Sequence, residues 1–248
     1  MNKLVFPQGT IVLLDDKPAQ EVVFIVCGGR KPAANWLKMT VEKLPGKPAF
    51  LAADKGLDYY HQAGLVPQMT IGDGDSATPA LWQKAVSQGK AKVYSKNKDK
   101  TDLQLLLEEL DEEKLWIFSG IFGGRLDHLF SAYEAIGSSA VQGNKAIVLA
   151  VSELSGRWLE VLVAVYLIGM ILYGHYRGFI RLAVSLLSYT EKSRVSLEGT
   201  KWRLEEATLT RADSYAISNE MSEAEKVQEF PHVRLTCHEG MTVFYVAG

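Results

Sequence analysis

The stretch LWIFSGIFGGRLDHLFSAYEAI, Leu115 to Ile136, holds one full βα unit. Leu115–Gly120 is a short apolar run closed by glycine, which reads as a buried strand. Arg125–Ile136 carries apolar residues at helical spacing. The same unit recurs on either side. The apolar runs Val22–Cys27, Ala49–Asp54, Gln68–Asp73, Lys92–Tyr94 and Ala146–Val151 are bounded by turn signals. Helical patterns lie between them at Pro32–Leu44, Lys55–Ala63, Thr78–Ser87 and Thr101–Leu110. This spacing predicts a parallel sheet with helices on both faces, whose ligands bind beyond the carboxyl ends of the strands.

After about residue 190 the segments VSLEG, ATLT, SYAIS, KVQEF, VRLTC and MTVFYVAG are short, β-rich and separated by turn signals. They predict antiparallel sheet in a small sandwich. The expected organisation is an α/β domain over residues 1–150 and a mostly β domain over residues 151–248. The composition, 47% hydrophobic and 23% charged in 248 residues, is that of a globular protein. A net charge of −2 gives no bulk attraction for nucleic acid or anionic lipid. Cys27 and Cys237 sit in apolar runs and cannot build a disulfide framework. With no signal-peptide h-region ahead of Asp15, a reducing cytoplasm is expected.

Residues 156–188 fit neither half. Val161–Gly174 is fourteen residues without a charge, followed by an amphipathic stretch, read as helical, with Arg177 and Arg181. Fourteen helical residues rise about 21 Å, short of the roughly 30 Å hydrocarbon core, so Val161–Leu172 is expected to be buried against protein rather than to cross a membrane.

Chemistry gathers at the strand ends. Asp73 and Asp75, in Gly72-Asp73-Gly74-Asp75-Ser76, crowd two carboxylates that suit Mg²⁺; the same turn also reads as an Asp75-Ser76 helix cap. The next end, Lys96 to Asp102, offers three lysines, Asp99 and a helix start at Thr101-Asp102, either an anion site with a third carboxylate or a solvated loop. The third end carries Gly123-Gly124-Arg125, whose arginine suits phosphate, and His128, which alone reads as structural. Smaller signals are Gly28-Gly29 and Asp54 with Gly56. Brought to one rim, these groups read as an Mg²⁺-nucleotide site without a P-loop or a Rossmann fingerprint.

The runs IGDGDS (Ile71–Ser76), KDKTDLQ (Lys98–Gln104) and GGRLDH (Gly123–His128), in that order, resemble the thiamine pyrophosphokinase family. AADKG (Ala52–Gly56), LEGTKWRLEEATL (Leu197–Leu209) and AISNEMS (Ala216–Ser222) extend the resemblance. It implies a homodimer in which an α/β domain binds Mg-ATP and a C-terminal β-sandwich completes the thiamine pocket across the dimer. The implied reaction moves pyrophosphate from ATP to the thiamine hydroxyl, leaving AMP. By motif, Asp73, Asp75 and Asp102 match metal-binding positions, Asp102 also as acceptor of the hydroxyl proton. Asp54, Asp99, Thr101, Arg125 and Asp127 match the nucleotide side; Trp202, Ser218 and Asn219 match the thiamine side. An aromatic face suits cationic thiazolium, although Trp202 also reads as a sandwich core residue.

Three features depart from that pattern. Gly74 stands where a larger residue is usual and is expected to loosen the turn. Residues 1–20 precede the first expected strand, and residues 156–188 resemble a segment of an integral membrane protein. Two other readings stay open: a membrane-associated or regulatory nucleotide-binding protein without catalysis, and a kinase of another hydroxylated heterocycle.

Overall fold

In the computed structural model, the described residues are 2–7, 9–14, 21–110, 114–123, 125–141, 145–151, 158–166, 169–174, 183–212 and 215–247. A short hairpin, β1 (Asn2–Val5) and β2 (Gly9–Leu13), opens the chain. The α/β part follows as β3 (Val22–Val26), α1 (Ala34–Lys43), β4 (Ala49–Ala53), α2 (Gly56–Gln62), β5 (Met69–Gly72) and α3 (Pro79–Ser87). It continues through β6 (Ala91–Val93), α4 (Asp102–Glu108), β7 (Leu115–Ser119), α5 (Leu126–Val141) and β8 (Lys145–Val151). Every residue of β3 and β7 is buried, because a parallel strand with helices on both faces has no wet side.

These strands pair in parallel in the order β8-β7-β3-β4-β5-β6. The chain winds from β3 outward to β6, then returns to the other side of β3 for β7 and β8. The order reverses at β3, and in open α/β sheets the crevice for a ligand opens at such a reversal, beyond the carboxyl ends.

The second half comprises β9 (Trp158–Tyr166), β10 (Gly169–Gly174), β11 (Ala183–Ser188), β12 (Lys192–Glu198), β13 (Leu204–Thr210) and β14 (Asn219–Glu220). The short α6 (Glu223–Lys226), β15 (His232–Glu239) and β16 (Met241–Ala247) complete it. β9, β16, β11 and β14 extend the parallel sheet antiparallel, giving ten strands in all. A second sheet runs β1-β2-β10-β15-β12-β13. Burial alternates along β12, the pattern of a strand with one wet face. Val195, Leu197, Val233 and Leu235 from this sheet share one buried cluster with Val184, Leu186, Phe244 and Val246 from the other. The α/β-then-antiparallel architecture expected from sequence is therefore present, but the main sheet does not break near residue 150.

Residues 2–13 do not belong with the strands that follow them in sequence. They pair through β2 with β10, setting Ile11 opposite Leu172, and Leu4, Phe6 and Ile11 are fully buried. Burying side chains of this size stabilises by about 1.5–3 kcal/mol each, which explains the apolar N-terminus.

The apolar run expected as a helix-length segment is two strands. β9 lies between β8 and β16, and β10 between β2 and β15, so both have hydrogen-bonded neighbours on each side. Leu172 is buried. Residues 156–157, 167–168 and 175–182 lie outside the described residues. The end of the stretch read as helical, Ala183–Ser188, is β11, paired with β16. Among the described residues no helix is long and apolar enough to cross a membrane.

SYAIS and KVQEF are not strands. Ser218 takes φ +57°, which breaks extended chain, and its N–H donates to the Ser185 hydroxyl at 3.0 Å. Ser222 caps α6 by accepting the N–H of Glu225 at 3.3 Å, a Ser-x-x-Glu signal that overrides the β-rich composition downstream.

Candidate active site

Three adjacent strand ends each deliver one carboxylate. Asp54 follows β4, Asp73 follows β5, and Asp102 opens α4 after β6; one oxygen of each lies within 4.8 Å of the others. They line a cleft of about 630 Å³ with Gly28, Gly29 and Arg125. The glycine turns after β3 and β7 make its floor: the N–H of Gly29 donates to the Gly120 carbonyl at 2.7 Å. A side chain on Gly29 would place its Cβ 2.5 Å from that oxygen.

Asp54 is held tightly. Its backbone takes φ +46°, and its N–H donates to the Ile71 carbonyl at 2.9 Å. Its carboxylate accepts the N–H of Gly74 at 3.2 Å and the hydroxyl of Ser76. Burial pushes this carboxyl up; the Ser76 hydrogen bond offsets part of that, and the charges of Asp73 and Asp75 add to the rise. A positive φ at a non-glycine residue is strain of the kind that concentrates at functional sites.

Asp73 accepts the N–H of Asp75 at 3.1 Å and the ammonium of Lys98 at 2.8 Å. Burial alone would raise its carboxyl, but these hydrogen bonds outweigh it and hold Asp73 below the usual carboxylate range. Burial pushes Asp102 up despite the opposing pull of Lys98, and the neighbouring charges of Asp54 and Asp73 push it further. Asp102 Oδ1 lies 3.1 Å from the Lys98 ammonium, yet it is buried and no donor among the described residues is aligned with it.

Asp75 serves differently. Its N–H orders Asp73, while its exposed carboxylate lies 3.7 Å from Lys96. It lines the cleft but is not one of the three converging residues. Nor do Asp75 and Ser76 cap α3. Thr78 holds that position, with its N–H shared between the two oxygens of Asp58 at 3.1 and 3.0 Å. Gly74 does not slacken the turn. It takes φ +76°, and a Cβ there would fall 2.5 Å from the Trp82 ring, which fills the space a larger residue would use.

Thr101 is the cap of α4: its hydroxyl accepts the N–H of Gln104 at 3.2 Å, and its own N–H donates to the Gln104 side chain at 2.9 Å. This capping box fixes the helix start that aims Asp102 at the cleft. Asp99 is exposed and is not among the residues that line the cleft. Arg125 and His128 line it; Gly124 lies outside the described residues. Arg125 makes a two-pronged pair with Asp127, Nε to Oδ1 at 3.1 Å and Nη2 to Oδ2 at 2.5 Å. Asp127 thus orients the guanidinium from outside the cleft lining.

Trp202, Ser218 and Asn219 form a separate group that does not line this cleft. Trp202 is 54% exposed, so it is not a core residue, and the Lys201 ammonium sits 4.6 Å from its ring centre. Asn219 is buried and fully engaged. Its Oδ1 accepts the N–H groups of Trp202 and Glu220 at 3.1 and 2.9 Å, and its Nδ2 donates to the Trp202 carbonyl at 2.6 Å and to Thr200 at 3.2 Å. Asn219 therefore shapes the turn that presents Trp202. Asn219→Ala leaves these groups unpaired, and a loss of about 2–3 kcal/mol in urea unfolding is expected; an unchanged midpoint would show that water replaces the side chain.

Sequence reasoning missed Lys98 as the partner of two carboxylates and placed Asp54 on the nucleotide rather than with the acidic group. The available signal for Asp54 was its position at the end of an apolar run, as for Asp73.

Residues 43–148 match the family model for the catalytic domain of thiamin pyrophosphokinase. Residues 181–236 match that for its vitamin B1 binding domain. A curated relative, thiamine pyrophosphokinase of Bacillus subtilis, is 37% identical over 83 residues. That stretch is 32% of this chain and spans 38% of the relative's own length. The crystal structure of thiamine pyrophosphokinase from Bacillus subtilis superposes with a TM-score of 0.67 at 20% identity, covering 92% of this chain and 99% of that one. That of thiamin pyrophosphokinase from Geobacillus thermodenitrificans gives 0.65 at 23% identity, covering 92% and 97%. The yeast thiamin pyrophosphokinase structure gives 0.62 at 12% identity, covering 94% and 87%. These structures share the fold, and the two domain models carry the family through both halves: the chain belongs to the thiamin pyrophosphokinase family.

Proposed function

We propose that this chain transfers a pyrophosphoryl group from ATP to the hydroxyl of thiamine, giving thiamine diphosphate and AMP. The observation that carries this reading is the convergence of Asp54, Asp73 and Asp102 in the cleft that Arg125 also lines. The donor set fits Mg²⁺, a cation that takes a few carboxylates together with phosphate oxygens; a buried, unaligned Asp102 oxygen fits the same ion. Bound there, Mg²⁺ would supply charge neutralisation for the phosphates.

The chain's own residues do the rest. Arg125, pre-oriented by Asp127, offers its remaining N–H groups to phosphate oxygens, for which a planar guanidinium is suited. The glycine floor lets a phosphate chain approach the backbone. Asp102, with its carboxyl raised by burial, is suited to accept the proton of the attacking hydroxyl. Trp202 offers a π face to the thiazolium cation. Since Trp202 lies apart from the cleft, we assign a homodimer in which the thiamine side of one protomer meets the cleft of its partner. Cytoplasmic residence is proposed with it, in keeping with two buried free thiols.

Arg125→Ala is expected to raise KM for ATP and lower kcat, together about 10²-fold in kcat/KM, with a milder effect from His128→Ala. An equal or larger defect from His128→Ala reverses these roles. The function itself is tested by AMP release from ATP, which is expected to require thiamine and a divalent cation and to stop on chelation. Release indifferent to thiamine would overturn the assignment.

A further inference from the structure

Of the three lysines in the loop before α4, Lys96 pairs with Asp75 at 3.7 Å and Lys100 with Glu108, both at exposed positions. Lys98 turns inward. Its side chain is 16% exposed, and its ammonium lies 2.8 Å from Asp73 Oδ2 and 3.1 Å from Asp102 Oδ1. Those residues are two of the three whose oxygens converge.

Three carboxylates this close repel one another and favour taking up protons unless a cation lies among them. Lys98 supplies that cation from the chain itself. A magnesium ion binds carboxylate oxygen at about 2.0–2.1 Å, well inside the ammonium's own distance, and two cations on the same oxygens repel. On shared oxygens the two compete. The ammonium, on a flexible four-carbon stem, is the one that can leave. It already lines the cleft, so the open direction for it is toward the space where phosphates would lie.

We propose that Lys98 is the resident counter-cation of the metal site: it holds Asp73 and Asp102 in place before metal arrives, and a divalent ion taking those oxygens displaces its ammonium into the cleft. This rests on the metal-site part of the function proposed above. The consequence is coupling. Metal alone must break the Lys98 pairs without compensation, whereas metal arriving with a polyphosphate gives the ammonium a new anion. Metal and nucleotide therefore bind cooperatively through one side chain.

The test uses the full chain and Mn²⁺ alone, read by titration calorimetry. Lys98→Met is expected to bind Mn²⁺ about tenfold more tightly than wild type, because the competing charge is gone. Unchanged or weaker binding by Lys98→Met would overturn the proposal. A second measurement avoids any effect of the substitution on folding. In the wild-type chain, acylation of Lys98 by an amine-selective reagent, followed by mass spectrometry, is expected to rise several-fold when Mn²⁺ is added. No rise, or a fall, would overturn it. If Mn²⁺ binds and frees Lys98 but no AMP is formed from ATP and thiamine, only the assigned reaction fails. If neither wild type nor variant binds Mn²⁺, the metal site and this proposal fall together.

Discussion

Asp73→Asn and Asp102→Asn are each expected to lower kcat by about 10³-fold or more, roughly 4 kcal/mol of barrier, in protein that stays folded. Phosphoryl-type transfer depends on positioning and on neutralising charge, and each substitution removes an anionic oxygen from the point where three strand ends meet. Folding should survive, because converting one of three crowded carboxylates to an amide relieves repulsion. Asp54→Asn is expected to behave like these two. Asp75→Asn is expected to be milder, since Asp75 holds Asp73 through its backbone N–H, which the substitution leaves in place. The comparison of Asp54→Asn with Asp75→Asn is decisive: a severe loss at Asp75 and near-normal turnover at Asp54 would restore the set read from the motif alone. Rates are compared at saturating Mg²⁺, with the thermal transition as the check on folding.

The second large effect is on stability. Gly56 opens α2 directly beneath β3, and a Cβ there would lie 1.9 Å from the carbonyl oxygen of Val26 and 2.6 Å from its carbon. Both atoms belong to the backbone of a strand buried along its full length, so no side chain can rotate away. Gly56→Ala is expected to cost about 3 kcal/mol, seen as a lower urea midpoint at unchanged slope. Because Gly56 is two residues past Asp54, the same shift should disturb the acidic group and weaken Mn²⁺ binding. An unchanged midpoint would mean that α2 can slide outward without loss, contrary to its packing through Leu57 and Tyr60.

What the sequence made legible was local. Strands β3 to β8 and helices α1 to α5 lie where apolar runs and helical periodicity put them, because each carries its signal within ten or fifteen residues. Asp73, Asp102 and Arg125 were visible because strand-end residues of a parallel sheet reach one rim whatever their distance in sequence. The failures share another cause. Beyond its hairpin with β1, β2 pairs with β10, about 160 residues away, and nothing in the first 13 residues names that partner. The uncharged run across β9 and β10 looked foreign to a sandwich because polar alternation was expected; it holds two strands that go to two different sheets, a change of sheet that nothing within the run signals. Asp54 was assigned to the nucleotide because its nearness to Asp73 depends on β4 and β5 being neighbours. Lys98 could not be told from Lys96 and Lys100 by type. Only its place in the folded loop, against Asp73 and Asp102, sets it apart.

The central claim, that two phosphates move together from ATP to thiamine, is tested most directly by following the reaction with ³¹P NMR in the presence of Mg²⁺. Expected are AMP and thiamine diphosphate, appearing at equal rates and in equal amounts, without ADP. Accumulation of ADP with a thiamine monophosphate signal, or AMP formed at the same rate when thiamine is left out, would contradict it.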